Sequence, residues 1–106
     1  MSDALSAALA AIRNSAKDRI PDLSLSGLGL TAIPPEIGEL AHLETLDASE
    51  NLLTELPPAM ASLSRLQELL LDRNRIARLP PEIGRLRELQ ILSLEGAHTW
   101  WWRSLV

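Results

Sequence analysis

Apolar and polar positions along the chain follow a repeating unit that is clearest in residues 66–88. Leu69 and Leu71 alternate with Glu68 and Asp72, the spacing of a short β-strand with one buried face. Two prolines at 80–81 then prevent strand pairing, because proline has no backbone N–H to donate. Apolar residues three positions apart follow them, which fits a single helical turn. The unit is therefore predicted to be a strand, a tight turn and a short helical or irregular return.

The unit recurs with a period of 23 residues over most of the chain. Equivalent positions carry Leu23, Leu46, Leu69 and Leu92, then Leu25, Ala48, Leu71 and Leu94, and then the proline pairs at 34–35, 57–58 and 80–81. A fixed period of about 20–50 residues indicates a solenoid of stacked units. The predicted units are residues 20–42, 43–65 and 66–88, with a partial fourth unit at 89–96.

The best-formed unit matches a recognisable motif. The pattern L-x-x-L-x-L-x-x-N-x-L is complete at Leu66, Leu69, Leu71, Asn74 and Ile76. It resembles the leucine-rich repeat family. The string LPPEIGRL is similar to the 23-residue subclass found in intracellular Ras-group and bacterial leucine-rich repeat proteins. The resemblance implies an α/β solenoid: a short right-handed superhelix with a parallel β-sheet on its concave face and short helical or irregular convex segments.

The same resemblance implies a structural role for Asn51 and Asn74. In this family the equivalent asparagine is buried and hydrogen-bonds to the backbone of the neighbouring loop, forming a ladder along the solenoid. An amide side chain suits this role because it both donates and accepts hydrogen bonds. The first unit has Leu28 at this position, where apolar burial is expected instead.

Both ends of the chain depart from the repeat. Residues 1–19 are predicted to form a helix that caps the first unit, since terminal repeats need a cover for their apolar face; docking of a partner is the alternative role. The helix is predicted to bury a stripe of Leu5, Ala8, Leu9, Ile12 and Ala16.

The tail, residues 97–106, contains Trp100, Trp101 and Trp102. By period, Trp102 and Val106 fall where the third unit has Leu79 and Ile83. The tail is therefore expected either to complete the fourth unit or to mark the end of a truncated or frame-shifted longer array. A ligand site made by the tryptophans is a third interpretation.

Strand alternation assigns a set of outward-facing residues to the concave face. They are Asp22, Ser24, Thr45, Asp47, Ser49, Glu68, Leu70, Asp72, Ile91, Ser93 and Glu95. This face is acidic and rich in hydroxyl groups, with Leu70 and Ile91 as an apolar spot. It is interpreted either as a solvated surface or as a binding surface for a protein partner with basic and apolar groups. In the second case Leu70 and Asp72 are the predicted anchors.

Composition narrows the functional classes. The net charge is −4 in 106 residues, which argues against a nucleic-acid partner, and no apolar run approaches a membrane span. The chain has no cysteine, and the lack of the cysteine-rich caps of extracellular relatives favours a cytoplasmic setting. Zinc-ligand spacing, a phosphate-binding loop and a nucleophile elbow are also missing, so no cofactor and no enzymatic activity are expected.

The sequence therefore predicts a non-catalytic protein–protein interaction module. The alternatives are a truncated sensor or substrate-docking arm of a larger signalling enzyme, such as a Ras-like GTPase, a kinase or a ubiquitin ligase, or a bacterial effector. The identity of the partner and the oligomeric state do not follow from the residues.

Overall fold

The computed structural model describes residues 3–96. Within this range one α-helix, α1, precedes four short strands that alternate with three 3-10 helices. The bounds are Asp3–Asp18 for α1, Asp22–Ser24 for β1, Thr45–Asp47 for β2, Glu68–Leu70 for β3 and Ile91–Ser93 for β4; the 3-10 helices are Pro35–Glu39, Pro58–Ser62 and Pro81–Arg85. The predicted alternation of strand and helical return is confirmed.

The four strands form one parallel sheet in the order β1-β2-β3-β4. Their register places Leu23 beside Leu46, Leu46 beside Leu69, and Leu69 beside Leu92. Each partner is therefore one sequence period away. Backbone hydrogen bonds continue the pairing beyond the strand ends, as between the Leu71 N–H and the Ser93 carbonyl at 2.8 Å. This register confirms the predicted solenoid with a parallel sheet.

The core is a column of aliphatic side chains between the sheet and the 3-10 helices. Leu46, Leu69, Leu66 and Met60 are at most 1% exposed. Each 3-10 helix begins with the second proline of a pair, whose fixed φ suits the first helical position, while the first proline remains extended. Neighbouring 3-10 helices pack on each other as neighbouring strands do. Every layer therefore has the same order of one strand, apolar core side chains and one 3-10 helix.

Helix α1 packs against β1 and the first 3-10 helix, so it covers the outer side of the first layer. Its buried residues are Ala8, Ile12 and Ser15. The predicted stripe is wrong at both ends, because Leu5 is 45% exposed and Ala16 is also exposed. The helix is rotated so that mainly small side chains face the layer, which allows its backbone to approach closely.

A buried polar contact ties α1 to the first repeat. The Ser15 hydroxyl donates to the Ile20 carbonyl at 3.2 Å and lies 3.1 Å from Nε2 of His42. Ser15 is 2% exposed, so these partners satisfy a hydroxyl that would otherwise be costly to bury. The serine and histidine therefore have a structural explanation, and periodicity gave no signal for their contact.

One backbone position after each strand adopts a left-handed conformation. Gly27, Glu50, Arg73 and Gly96 lie one period apart and have φ values of 68°, 56°, 55° and 85°. Glycine occupies this conformation without a Cβ clash, whereas other residues are strained there. The two middle repeats therefore carry strain that the first and fourth repeats avoid.

Replacing Glu50 with glycine is expected to raise the free energy of unfolding by about 0.5–1 kcal/mol, because the relief of strain exceeds the added chain entropy of glycine. Glu50→Ala is the matched control, since alanine removes the same side chain but keeps the strained Cβ. Chemical denaturation of both variants measures the difference. Equal stability of the glycine and alanine variants would contradict strain at this position.

Candidate protein-binding surface

The sheet face opposite the core carries three rows of outward-facing side chains. The strand register aligns Asp22, Thr45, Glu68 and Ile91 in one row, and Ser24, Asp47, Leu70 and Ser93 in the next. A third row, just past the strands, continues this spacing with Ser26, Ser49, Asp72 and Glu95. We call this surface the concave face. The structure thus brings the predicted residues together because parallel strands in register place equivalent residues side by side.

Ten of the eleven predicted residues are at least partly accessible, and Ser49 is the exception. It is only 8% exposed, so little of its side chain is accessible, and its contact with a partner stays a prediction. The physical reason for its burial is the tight turn after β2. The Ser49 N–H bonds to Oδ1 of Asp47 at 3.0 Å, and its carbonyl accepts bonds from Gly27 and Asn51. These bonds draw Ser49 inward.

Asp72 has a structural task that the sequence did not reveal. Its Oδ1 accepts a hydrogen bond from the Ser93 hydroxyl and another, at 2.8 Å, from the Glu95 N–H. The carboxylate therefore links the third repeat to the fourth. A substitution at Asp72 would disturb this link as well as any binding, so it is a poor site for testing contacts.

Leu70 and Ile91 form the apolar part of the concave face. Ile91 is 46% exposed at the start of β4, and Leu70 is half-buried at the end of β3. The pairing partner of Ile91 is Glu68, so a carboxylate stands directly beside the apolar pair. Exposed aliphatic side chains next to acidic groups suit a partner with both apolar and basic side chains.

Every charged side chain in the three rows of the concave face is acidic. The charged members are Asp22, Asp47, Glu68, Asp72 and Glu95. Beyond β3 the surface becomes positively charged, at an edge formed by Arg73, Arg75 and Arg78. Nη1 of Arg73 lies 3.9 Å from Oε2 of Glu50, but both side chains are more than half exposed. Such a surface pair contributes little to stability and remains available to a partner.

Two buried asparagines fix the turns next to the concave face. Asn51 is 4% exposed. Its Oδ1 accepts hydrogen bonds from the N–H groups of Leu28 and Leu30 at 3.1 and 2.9 Å. Its Nδ2 donates to the carbonyls of Leu25, Ala48 and Ser49. The side chain therefore satisfies backbone groups in the preceding repeat and in its own.

Asn74 repeats this arrangement one unit later. Its Oδ1 accepts from the Leu53 N–H at 3.0 Å, and its Nδ2 donates to the Ala48 carbonyl at 2.9 Å. The Ala48 carbonyl thus accepts hydrogen bonds from Nδ2 of both asparagines, which connects the two turns. At the expected position in the first repeat, Leu28 packs partly buried against the core.

Other features of residues 3–96 add no chemistry to this surface. An open groove of about 450 Å³ runs beside the proline pairs of the second and third repeats. No group of three or more His, Cys, Asp or Glu side chains in this range is placed to hold a metal ion. Among the same residues, no helix combines the length and apolar character needed to cross a bilayer. The concave face therefore remains the candidate surface for recognition.

Comparison with protein families agrees with this geometry. A profile described as a leucine-rich repeat region matches residues 19–101. The chain belongs to the leucine-rich repeat family. Proteins of this family generally act as interaction modules, and their extended concave surfaces serve for binding. No curated protein matches the chain at a significant level.

Two bacterial proteins are among the solved structures that are similar to this chain. YopM from Yersinia enterocolitica is 27% identical, with a TM-score of 0.64, over 89% of this chain and 19% of that chain. The Leptospira interrogans leucine-rich repeat protein LIC12759 is also 27% identical, with a TM-score of 0.44, over 84% of this chain and 34% of that chain. The chain thus spans about a fifth and a third of these two proteins.

Proposed function

We propose that this chain is a non-catalytic module that binds a protein partner through its concave face. The observation that carries the proposal is the accessible pair Leu70 and Ile91 beside the carboxylate of Glu68 on a preordered sheet. The partner would present basic and apolar side chains in a single extended or helical segment. Because the sheet is built from stacked rigid layers, binding requires little ordering of this face, which favours affinity.

A cytoplasmic setting is part of this proposal, supported by a chain without cysteine. Cytoplasmic proteins seldom depend on disulfides. The acidic character of the face also argues against nucleic acid, whose phosphates would be repelled there. A protein partner with Lys or Arg near its apolar anchors would instead meet complementary charge.

The double substitution Leu70→Glu with Glu68→Lys tests the proposal. Leu70 and Glu68 are half-buried on β3. Among residues 3–96 their side chains make no hydrogen bond that links the layers, in contrast to Asp72. The tagged protein is used for affinity capture from its native cells, and the captured partner is then purified and titrated. We expect the double variant to weaken binding by at least about tenfold, equivalent to about 1.4 kcal/mol, since it replaces an apolar anchor with a charge.

The matched control carries Leu52→Glu, which places the same charge on an exposed leucine outside the strands. Binding by this control should equal binding by the unmodified chain. If the β3 variant retains full affinity while remaining folded by circular dichroism, the concave face is not the binding surface. Loss of binding in the control alone would place the contact at the turns that follow the strands, where Leu52 lies.

A second function is favoured by the length of the similar protein YopM. The chain covers only 19% of YopM, which supports the alternative of a docking arm or sensor within a longer polypeptide. The alternative keeps the same concave face and adds activity elsewhere in that polypeptide. Reading the coding DNA beyond the given segment in all frames tests it: further repeats or an enzymatic motif support it, and an immediate stop contradicts it.

A further inference from the structure

An open cleft of about 420 Å³ lies between α1 and the 3-10 helix of the first repeat, Pro35–Glu39. We call it the helix cleft. Its apolar lining is made by Leu9, Ile12 and Ala16 of α1, and its volume is in the range of ligand-binding sites. The tail at residues 97–106, whose predicted roles fall outside the described residues, is not needed for this site.

The apolar lining includes side chains of α1 that the first layer does not cover. Ala16 is exposed. Leu9 is half-buried but does not belong to the core that the described residues form, whereas Ile12 is 3% exposed and does belong to it. Helix α1 therefore has two apolar surfaces. The larger one caps the first layer, and the smaller one opens into the helix cleft.

The two sides of the helix cleft carry opposite charges. Arg13 and Lys17 lie one turn apart on α1, whereas Glu36 and Glu39 belong to the 3-10 helix. All four residues are exposed, and within residues 3–96 no ion pair joins the two sides. These charges are therefore available to a ligand. A complementary ligand presents carboxylates to one side, basic groups to the other side and apolar atoms between them.

The helical walls of the cleft favour a helix over a strand as its occupant. Backbone groups within α1 and Pro35–Glu39 bond largely inside their own helices, so an added strand would find few backbone partners there. The part of α1 from Leu9 to Lys17 extends for about 12 Å. A partner helix can place apolar side chains three, four and seven residues apart along that length. A second copy of the chain fits less well, because two concave clefts that face each other would enclose a void.

We propose that the helix cleft binds an amphipathic helix of a partner protein, with acidic side chains along one flank and basic side chains along the other. The acidic flank pairs with Arg13 and Lys17, and the basic flank pairs with Glu36 and Glu39. Opposite charges on the two sides also fix the direction of the partner helix, since turning it round would bring like charges together. None of the concave-face residues lines this cleft, so α1 both caps the first repeat and provides a second binding surface.

Three synthetic helical peptides test the proposal. They share one apolar stripe and differ only in its flanks: the mixed peptide has glutamate on one flank and lysine on the other, the acidic peptide has only glutamate, and the basic peptide has only lysine. Binding of each labelled peptide to the full chain is measured by fluorescence anisotropy at low ionic strength, where surface charges are least screened. We expect the mixed peptide to bind at least about tenfold more tightly than either of the others. The net charge of −4 alone would favour the basic peptide instead.

Charge reversal on one side of the cleft at a time locates the bound peptide. Arg13→Glu with Lys17→Glu makes both sides acidic, so it should weaken binding of the mixed peptide by at least about tenfold and favour the basic peptide. Glu36→Lys with Glu39→Lys makes both sides basic and should favour the acidic peptide. Circular dichroism checks that each variant is folded. Because the two variants alter different elements, a folding defect in one leaves the other as a test.

Two controls separate the helix cleft from net charge and from the concave face. Arg85→Glu with Arg87→Glu makes the same change in net charge at two exposed positions of the third repeat, and it should leave the preference for the mixed peptide unchanged. The concave-face variant, Leu70→Glu with Glu68→Lys, should also retain binding of the mixed peptide. Failure of the proposed function and failure of the helix cleft are therefore distinguishable.

Each of four results would overturn the proposal. The first is equal binding of the three peptides, or no saturable binding of the mixed peptide. An equal loss of binding in the Arg85 and Arg87 control would attribute recognition to net charge. A loss of binding in the concave-face variant would place the peptide on that face. Self-association of the unmodified chain that disappears on Arg13→Glu with Lys17→Glu would assign the cleft to a second copy.

Discussion

Replacement of Leu69 with alanine is expected to lower the free energy of unfolding by about 2–5 kcal/mol, the range for leucine truncation in a packed core. Leu69 is 0% exposed and lies between Leu46 and Leu92 in the sheet register. The cavity would thus open at the contact of three layers. In a stacked array, stability depends on contacts between neighbours, so losing a central contact weakens both interfaces.

Leu52→Ala is the matched control for this measurement. Leu52 is 41% exposed, and truncation there should change the free energy of unfolding by less than about 0.5 kcal/mol. Urea denaturation followed by circular dichroism compares both variants with the unmodified chain. Similar effects of the two substitutions would show that Leu69 does not occupy a close-packed column.

Replacement of Asn51 with alanine is expected to lower the free energy of unfolding by about 1–3 kcal/mol, the penalty for leaving buried hydrogen-bonding groups without partners. Alanine would leave the N–H groups of Leu28 and Leu30 without their acceptor, and three carbonyls would lose a donor. Asn74→Ala should lower the free energy of unfolding by a smaller amount within this range. Oδ1 of Asn74 accepts one hydrogen bond within residues 3–96, whereas Oδ1 of Asn51 accepts two.

Asn14→Ala provides the control for the asparagine substitutions. Asn14 is exposed on α1, where alanine favours the helix, so no loss of stability is expected. The three melting midpoints should rank with Asn51→Ala lowest and Asn14→Ala highest. An unchanged midpoint for Asn51→Ala would mean that water satisfies the turn as well as the amide does.

Periodicity was sufficient to predict the layered architecture. Leucines one period apart can all be buried only if successive units stack in register, and the paired prolines exclude a second strand in each unit. The outward residues of the concave face followed from the same register, since side chains alternate across a strand. Ten of those eleven residues are accessible in the structure, because strand alternation is a local property that stacking preserves.

Contacts between units that are distant in sequence could not be predicted in this way. Burial of Ser49 depends on bonds that its carbonyl makes with Gly27 of the preceding repeat, and the role of Asp72 depends on Ser93 of the following one. Helix α1 buries Ala8, Ile12 and Ser15, and the inclusion of Ser15 in place of the predicted Ala16 depends on its packing against the first layer.

The sequence by itself determined the repeat, its period, the positions of strands and turns, and the acidic sign of the concave face. All of these follow from residue types recurring at fixed spacing. The tertiary structure alone decided the rotation of α1, the strained left-handed conformation of Glu50 and Arg73, and which carboxylates are held by neighbouring repeats. Those features depend on distances between layers, and a one-dimensional pattern does not encode such distances.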